Sequence, residues 1–122
     1  MPDAAAALII DHANRVLLVR EGYEAGRYGL PGGVIEAGET PRDAVVREVH
    51  EELGLTVKTR DLVAVYYLRT DRSEGLRFFF HCEVIEASLS FPSRARLPIS
   101  PWTPTDDLPR PLTNTAPHAI AD

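Results

Sequence analysis

The stretch Gly32-Gly33-Val34-Ile35-Glu36-Ala37-Gly38-Glu39-Thr40-Pro41-Arg42-Asp43-Ala44-Val45-Val46-Arg47-Glu48-Val49-His50-Glu51-Glu52-Leu53-Gly54-Leu55 decides how this chain folds. Thr40 is an N-cap with Pro41 at the first helical position, and Asp43 three residues on completes a capping box. Gly54 is the C-terminal stop, so the spacing predicts a helix from Pro41 to Leu53. Val45, Val49 and Leu53 recur every four residues and make its buried stripe. Glu48, Glu51 and Glu52 stand at i, i+3 and i+4 and project from one face, largely opposite that stripe. Carboxylates at this spacing repel, which weakens a helix by a few tenths of a kcal/mol per pair. A hard divalent cation with a taste for oxygen, Mg²⁺ or Mn²⁺, reverses the sign. A bare Glu-x-x-Glu-Glu is usually a solvated acidic face. Here a glycine-rich loop leads into the helix, and its bare backbone can approach a phosphate or offer a carbonyl to a metal.

Outward from this stretch, Ala4 to Ile10 and Arg15 to Arg20 are apolar segments around Asp11-His12-Ala13-Asn14, which reads as strand, turn, strand. Glu21 to Gly33 reads as loop, with Gly22, Gly26, Gly29, Pro31, Gly32 and Gly33. Leu62 to Leu68 is rich in strand formers, and Asp71 to Gly75 is a polar turn. Leu76 to Glu86 alternates, with Leu76, Phe78, Phe80, Cys82 and Val84 on one face, so the two segments form a hairpin. From Phe91 onward the chain holds seven of its ten prolines, which keeps regular structure short. Trp102 is a landmark there, and Thr113 to Ala121 reads as a short last helix. Strands with an intervening helix and mixed connections make the fold class α/β (α+β).

The chain's 122 residues fit one domain, 1–122. No apolar run approaches the roughly 18 residues that cross a bilayer, so no membrane span is expected. The start lacks the basic region of a signal peptide, and the single Cys82 allows no internal disulfide, so a cytoplasmic location follows as the default. Net charge is −5, from 13 Lys and Arg against 18 Asp and Glu, the balance opposite to that of a nucleic-acid polymer binder. A small phosphorylated substrate stays compatible with it if a divalent cation screens the charge. Only Lys58 among the basic residues is lysine; the rest are arginines, suited to bidentate phosphate contacts, although a genome rich in G and C is the simpler reading of the bias. Arg20, Arg27, Arg69, Arg72 and Arg77 are candidate phosphate contacts, with Arg27 in the glycine loop foremost. Tyr23, Tyr28, Tyr66 and Tyr67 are candidates to stack on a base, though strand packing explains them as well. His50 is expected at the surface of the helix, and Cys82 as a small buried hydrophobe.

The quoted stretch resembles the signature of the Nudix hydrolase family. Gly33, Glu39, Arg47, Glu48, Val49, Glu51, Glu52, Gly54 and Leu55 match it without a gap. Seven fixed identities at ordinary residue frequencies coincide by chance on the order of once in 10⁸ start positions. The resemblance implies a Nudix-type α/β/α sandwich with a mixed β-sheet. It implies Mg²⁺-dependent cleavage of a phosphoanhydride bond in a nucleoside diphosphate linked to another moiety, with Mn²⁺ as an alternative ion. By position, Glu48, Glu51 and Glu52 would ligate the metal, with the Gly32 carbonyl a further ligand. Arg47 would orient the glutamates by ion pairing, Gly33 would support the loop, and Glu39 stands at a position more often structural than catalytic. Glu51 or Glu48 would be the general base. Some relatives supply a further carboxylate from a downstream loop, yet no Asp or Glu lies between Ala87 and Pro101. Either the helix and substrate suffice, or Glu74, Glu83 or Glu86 contributes. Relatives often form dimers, which leaves a homodimer open. The rival expectation is a catalytically silent Nudix-fold nucleotide-binding or sensor module; loss of a motif glutamate would favour it, and none is lost.

Overall fold

The computed structural model of the chain describes residues 3–11, 13–21, 27–71, 74–87 and 103–104. Strand β1 (Ala4–Ile9) organises it, because β1 has a neighbour on each side. One is β5 (Gly32–Val34), which is antiparallel; the other is β7 (Glu74–Ala87), which is parallel. β7 continues into an antiparallel pair with β6 (Leu55–Arg69), giving a mixed sheet of order β5-β1-β7-β6. Two short ladders flank it: β2 (Arg15–Val16) with β8 (Thr103–Pro104), and β3 (Val19–Glu21) with β4 (Arg27–Gly29). With the helix α1 (Pro41–Leu53) on one face, this is an α+β fold. The second helical layer expected at Thr113 to Ala121, and Trp102, lie outside the described residues. Among the described residues no helix is long and apolar enough to cross a membrane.

Helix α1 begins and ends where its caps dictate. The Thr40 side chain accepts the Asp43 amide, the Asp43 carboxylate accepts the Thr40 amide, and Gly54 closes the helix in the left-handed region at φ 72°. Val45, Val49 and Leu53 are buried, along with Ala44, against Ala5, Ala7, Ile9, Phe80 and Cys82. Each Val or Leu so buried stabilises the fold by about 1.5–3 kcal/mol. Arg42 pins the start of the helix to β6 and β7: its guanidinium lies 4.9 Å over the Phe80 ring and donates to Thr59 Oγ1 and the Arg60 carbonyl. The opposite sheet face carries a smaller cluster of Leu8, Val16, Leu18, Leu30 and Phe79.

The alanines of β1 have a purpose that shows at its edge with β5. Ala5 lies opposite Gly33 and Ala6 opposite Gly32. Ala5 and Gly33, on the face that carries α1, add little bulk there, and side chains of the last two turns of α1 reach β5. Several strand boundaries differ from the expected ones. β6 starts at Leu55, seven residues before the expected Leu62, and carries register shifts between Thr56 and Val57 and again between Thr59 and Ala64. Such bulges break strict alternation. The expected strand Arg15 to Arg20 divides into β2 and most of β3, and the expected loop Glu21 to Gly33 contains β4 and the first two residues of β5. The turn between β1 and β2 is as expected: Asp11 accepts the amides of Ala13 and Arg15, and Asn14 sits at φ 60°.

Candidate active site

The last turns of α1 face the glycine strand β5, and the contact is between carboxylates and bare backbone. Glu52 Oε1 accepts the Gly32 amide at 3.0 Å. A Cβ placed on Gly33 would fall 2.6 Å from the Glu48 carboxyl carbon and 2.7 and 2.8 Å from its oxygens, so the Glu48 carboxylate lies directly over the Gly33 Cα. Gly33 is therefore required by close approach rather than by a left-handed turn. The three motif glutamates are not alike. Glu52 is 4% exposed, whereas the side chains of Glu48 and Glu51 are 13% and 45% exposed. The sequence placed all three on a face opposite the apolar stripe. Glu52 instead lies inside, because the Gly32 amide rewards its burial with a charge-assisted hydrogen bond.

Arg47 ties the loop to the helix. Its Nε and Nη2 grip Glu39 in a bidentate pair at 2.6 and 3.0 Å, and Nη2 also donates to the Val34 carbonyl at 3.0 Å. Its Nη1 donates to Glu48 Oε1 at 2.9 Å and Glu51 Oε2 at 3.3 Å. Glu36 adds a fourth carboxylate 3.6 Å from Nε. The hydrogen bonds to Glu39 hold the guanidinium above its ordinary pKa against the desolvation that opposes them, and the hydrogen bond to Glu48 and its charge add to the effect. In return Arg47, followed by the Glu36 amide, holds the Glu39 carboxyl below the ordinary glutamate range. Glu36 was missed in the sequence, where its only signal is an acidic residue three places before Glu39. Asp3 was missed too: its carbonyl accepts the Ile35 amide and its carboxylate the Leu76 amide, fastening the β5 exit to β7.

Of the other candidates, Arg77 pairs across the sheet with Ala4 and Tyr66, on the face away from α1, and donates to the Leu76 carbonyl. It does not join the motif carboxylates. Arg69 and Tyr67 engage Glu74, and Arg60 engages Glu83, all on the β6–β7 hairpin. Tyr66 packs edge-on against Phe79 with ring centroids 5.6 Å apart. His50 is exposed and Cys82 is buried, as expected. The side chains of Arg20, Arg27, Arg72, Tyr23 and Tyr28 lie outside the described residues.

Among the described residues no three His, Cys, Asp or Glu side chains form a ready-made metal cage. Mg²⁺ does not need one. It dehydrates reluctantly and is held through one or two carboxylates with waters and substrate phosphates. The donors gathered beside β5 are all carboxylate oxygens, the chemistry such an ion selects. Glu48 and Glu51, joined through a single cationic nitrogen, meet that requirement.

A model of the NUDIX domain matches residues 1–122, and the chain belongs to the NUDIX family. An ADP-ribose pyrophosphatase of Methanocaldococcus jannaschii is 38% identical over 92 residues, 72% of this chain and 54% of that protein. An 8-oxo-dGTP diphosphatase of Escherichia coli strain K12 is 42% identical over 55 residues, 43% of either chain. The match thus spans about half the length of each curated relative. The crystal structure of a MutT NUDIX hydrolase from Burkholderia pseudomallei superposes with a TM-score of 0.82 at 28% identity, covering 98% of this chain and 95% of that one.

Proposed function

We propose that this chain is a Mg²⁺-dependent Nudix hydrolase that cleaves a phosphoanhydride bond in a nucleoside diphosphate linked to another moiety. The observation that carries this is the α1–β5 contact, in which Glu48 and Glu52 pack on Gly32 and Gly33 while Arg47 draws Glu51 alongside. Glu48, Glu51 and Glu52, with the Gly32 carbonyl, would hold Mg²⁺ or Mn²⁺. When bound, the ion supplies positive charge to phosphate oxygens as the transition state forms.

The chain's own residues divide the remaining work. Glu51, the most open of the three carboxylates, takes the proton of the attacking water. The water oxygen bonds to phosphorus, the bridging P–O bond breaks, and the second phosphorylated fragment leaves with the electron pair. Glu48 is the alternative base, although its carboxylate is largely enclosed between Gly33 and Arg47. Glu52 holds the glycine strand against the helix, and Glu39 holds Arg47.

The test is a hydrolysis screen with product identification over ADP-ribose, nucleotide sugars, oxidised nucleoside triphosphates and dinucleoside polyphosphates. Glu51→Gln, assayed at saturating Mg²⁺, should lose roughly 10²–10⁴-fold in kcat, the usual worth of a general base. Full activity in excess chelator would overturn the metal dependence. No turnover on any class would favour a binding module.

A further inference from the structure

Arg47 has five N–H groups, and the structure gives each an acceptor. They divide unequally. Three, from Nε and Nη2, are spent on the loop, at Glu39 and the Val34 carbonyl. The two on Nη1 are spent on the helix, at Glu48 and Glu51. Nη1 therefore lies between the two carboxylates that the proposed function assigns to a divalent ion. A pair of carboxylates that close has room for one cation, and two cations side by side repel.

We propose that Arg47 is a positioning residue with two independent halves, in which Nη1 occupies the cation's place on Glu48 and Glu51 until a divalent ion displaces it. The Nε and Nη2 half stays fastened to Glu39 and Val34. The guanidinium thus keeps the repelling glutamates together in the empty protein, then yields them without leaving the loop. The loop half is the stronger one, because it is a bidentate fork on a single carboxylate. This rests on the assignment of Glu48 and Glu51 to the ion.

The experiment is Mg²⁺ titration of the full chain labelled with ¹⁵N-arginine, without nucleotide, following hydrogen exchange at the Arg47 nitrogens. The Nη1 protons should exchange about tenfold faster or more at saturation, the equivalent of one charge-assisted hydrogen bond lost, while Nε–H changes by less than about threefold. A thermal shift recorded in parallel reports whether Mg²⁺ is bound at all. Bound Mg²⁺ with Nη1 still protected overturns the displacement and leaves the proposed function standing. Absence of any Mg²⁺ binding overturns both. In Glu39→Gln the loop half loses its charged fork, so Nε–H should also lose protection in the Mg²⁺ form; continued protection would place the anchor elsewhere and overturn the two-half arrangement.

Discussion

Gly32 and Gly33 are adjacent, yet adding one methyl to each should give opposite results. At Gly32 the new Cβ would meet the Ala5 carbonyl oxygen at 2.3 Å and the Ala6 Cα at 2.6 Å. Both are backbone of the neighbouring strand, so no rotamer relieves the clash. Overpacking costs about 1–3 kcal/mol, and a β1–β5 ladder bond weakened in consequence adds about 1 kcal/mol. At about 4 °C per kcal/mol, Gly32→Ala should lower the Tm of the metal-free protein by about 8–16 °C. At Gly33 the three nearest atoms all belong to the end of the Glu48 side chain, which can swing away, and the backbone is not in the left-handed region. Restricting the unfolded chain returns about 0.4–1 kcal/mol, so the metal-free Tm should stay within about 4 °C of wild type. The displaced Glu48 can no longer serve the ion. Wild type at a Mg²⁺ concentration 100 times its Kd gains about 2.7 kcal/mol, or about 10 °C, and Gly33→Ala should lose most of that gain. The assay is a thermal melt of the three proteins in chelator and in Mg²⁺. A Gly33→Ala protein that keeps the full Mg²⁺ shift, or that falls as far as Gly32→Ala in chelator, refutes the placement of Glu48 over Gly33.

Glu52→Ala should cost about 1–3 kcal/mol in chelator by leaving the Gly32 amide unpaired, while Glu52→Gln, which keeps the acceptor oxygen, should melt close to wild type; equal losses in urea titrations would deny the bond its role. Glu39 has a folded-state pKa below its unfolded value, chiefly through Arg47, so its contribution is complete above the ordinary value of about 4.5 and lost as pH falls through the folded value. Urea melts in chelator from neutral to acid pH should therefore show wild type converging on Glu39→Gln at the acid end; a constant gap would mean that Glu39 is not the titrating group. Burial pushes the Cys82 thiol up to about 12, with Arg42 opposing weakly, so native protein at pH 8 should ignore a disulfide reagent that labels it promptly in urea. Rapid labelling of the native state would show that the α1 face of the sheet opens.

The helix was legible to the residue, because its limits are set by local chemistry: Thr40, Pro41 and Asp43 at one end and Gly54 at the other. So was its apolar stripe. The strands were less so. Lys58 and Thr59 carry no apolar alternation, yet they lie in β6 because β7 pairs them with Glu83 and Cys82, and Arg60 and Asp61 follow in the bulge before Leu62 resumes the ladder. Gly32 and Gly33 read as loop, since nothing local says that two glycines will form a strand. Only the alanines of β1, some 27 residues upstream in the pairing of Ala5 with Gly33 and Ala6 with Gly32, explain it. The same limit applied at the site. The identity of the motif carboxylates was plain, but the burial of Glu52 depends on an amide 20 positions away. Periodicity within a helix cannot report that.

The parallel pairing of β1 with β7 also sets an order of assembly. Leu76 and Asp3, joined by a hydrogen bond, are 73 residues apart in the chain, whereas β6 and β7 are consecutive and pair from Arg69 with Glu74 onward. Closing the long loop carries the larger entropy penalty and little is gained until it closes, so the hairpin and α1 are favoured to form ahead of β1 docking. During synthesis on the ribosome β1 emerges first but has no complete berth until β7 follows. β5 has β1 as its ladder neighbour, so the glycines that receive Glu48 and Glu52 take their places only in the last step. The acidic cluster and its arginine are thus completed by the strand that was made first.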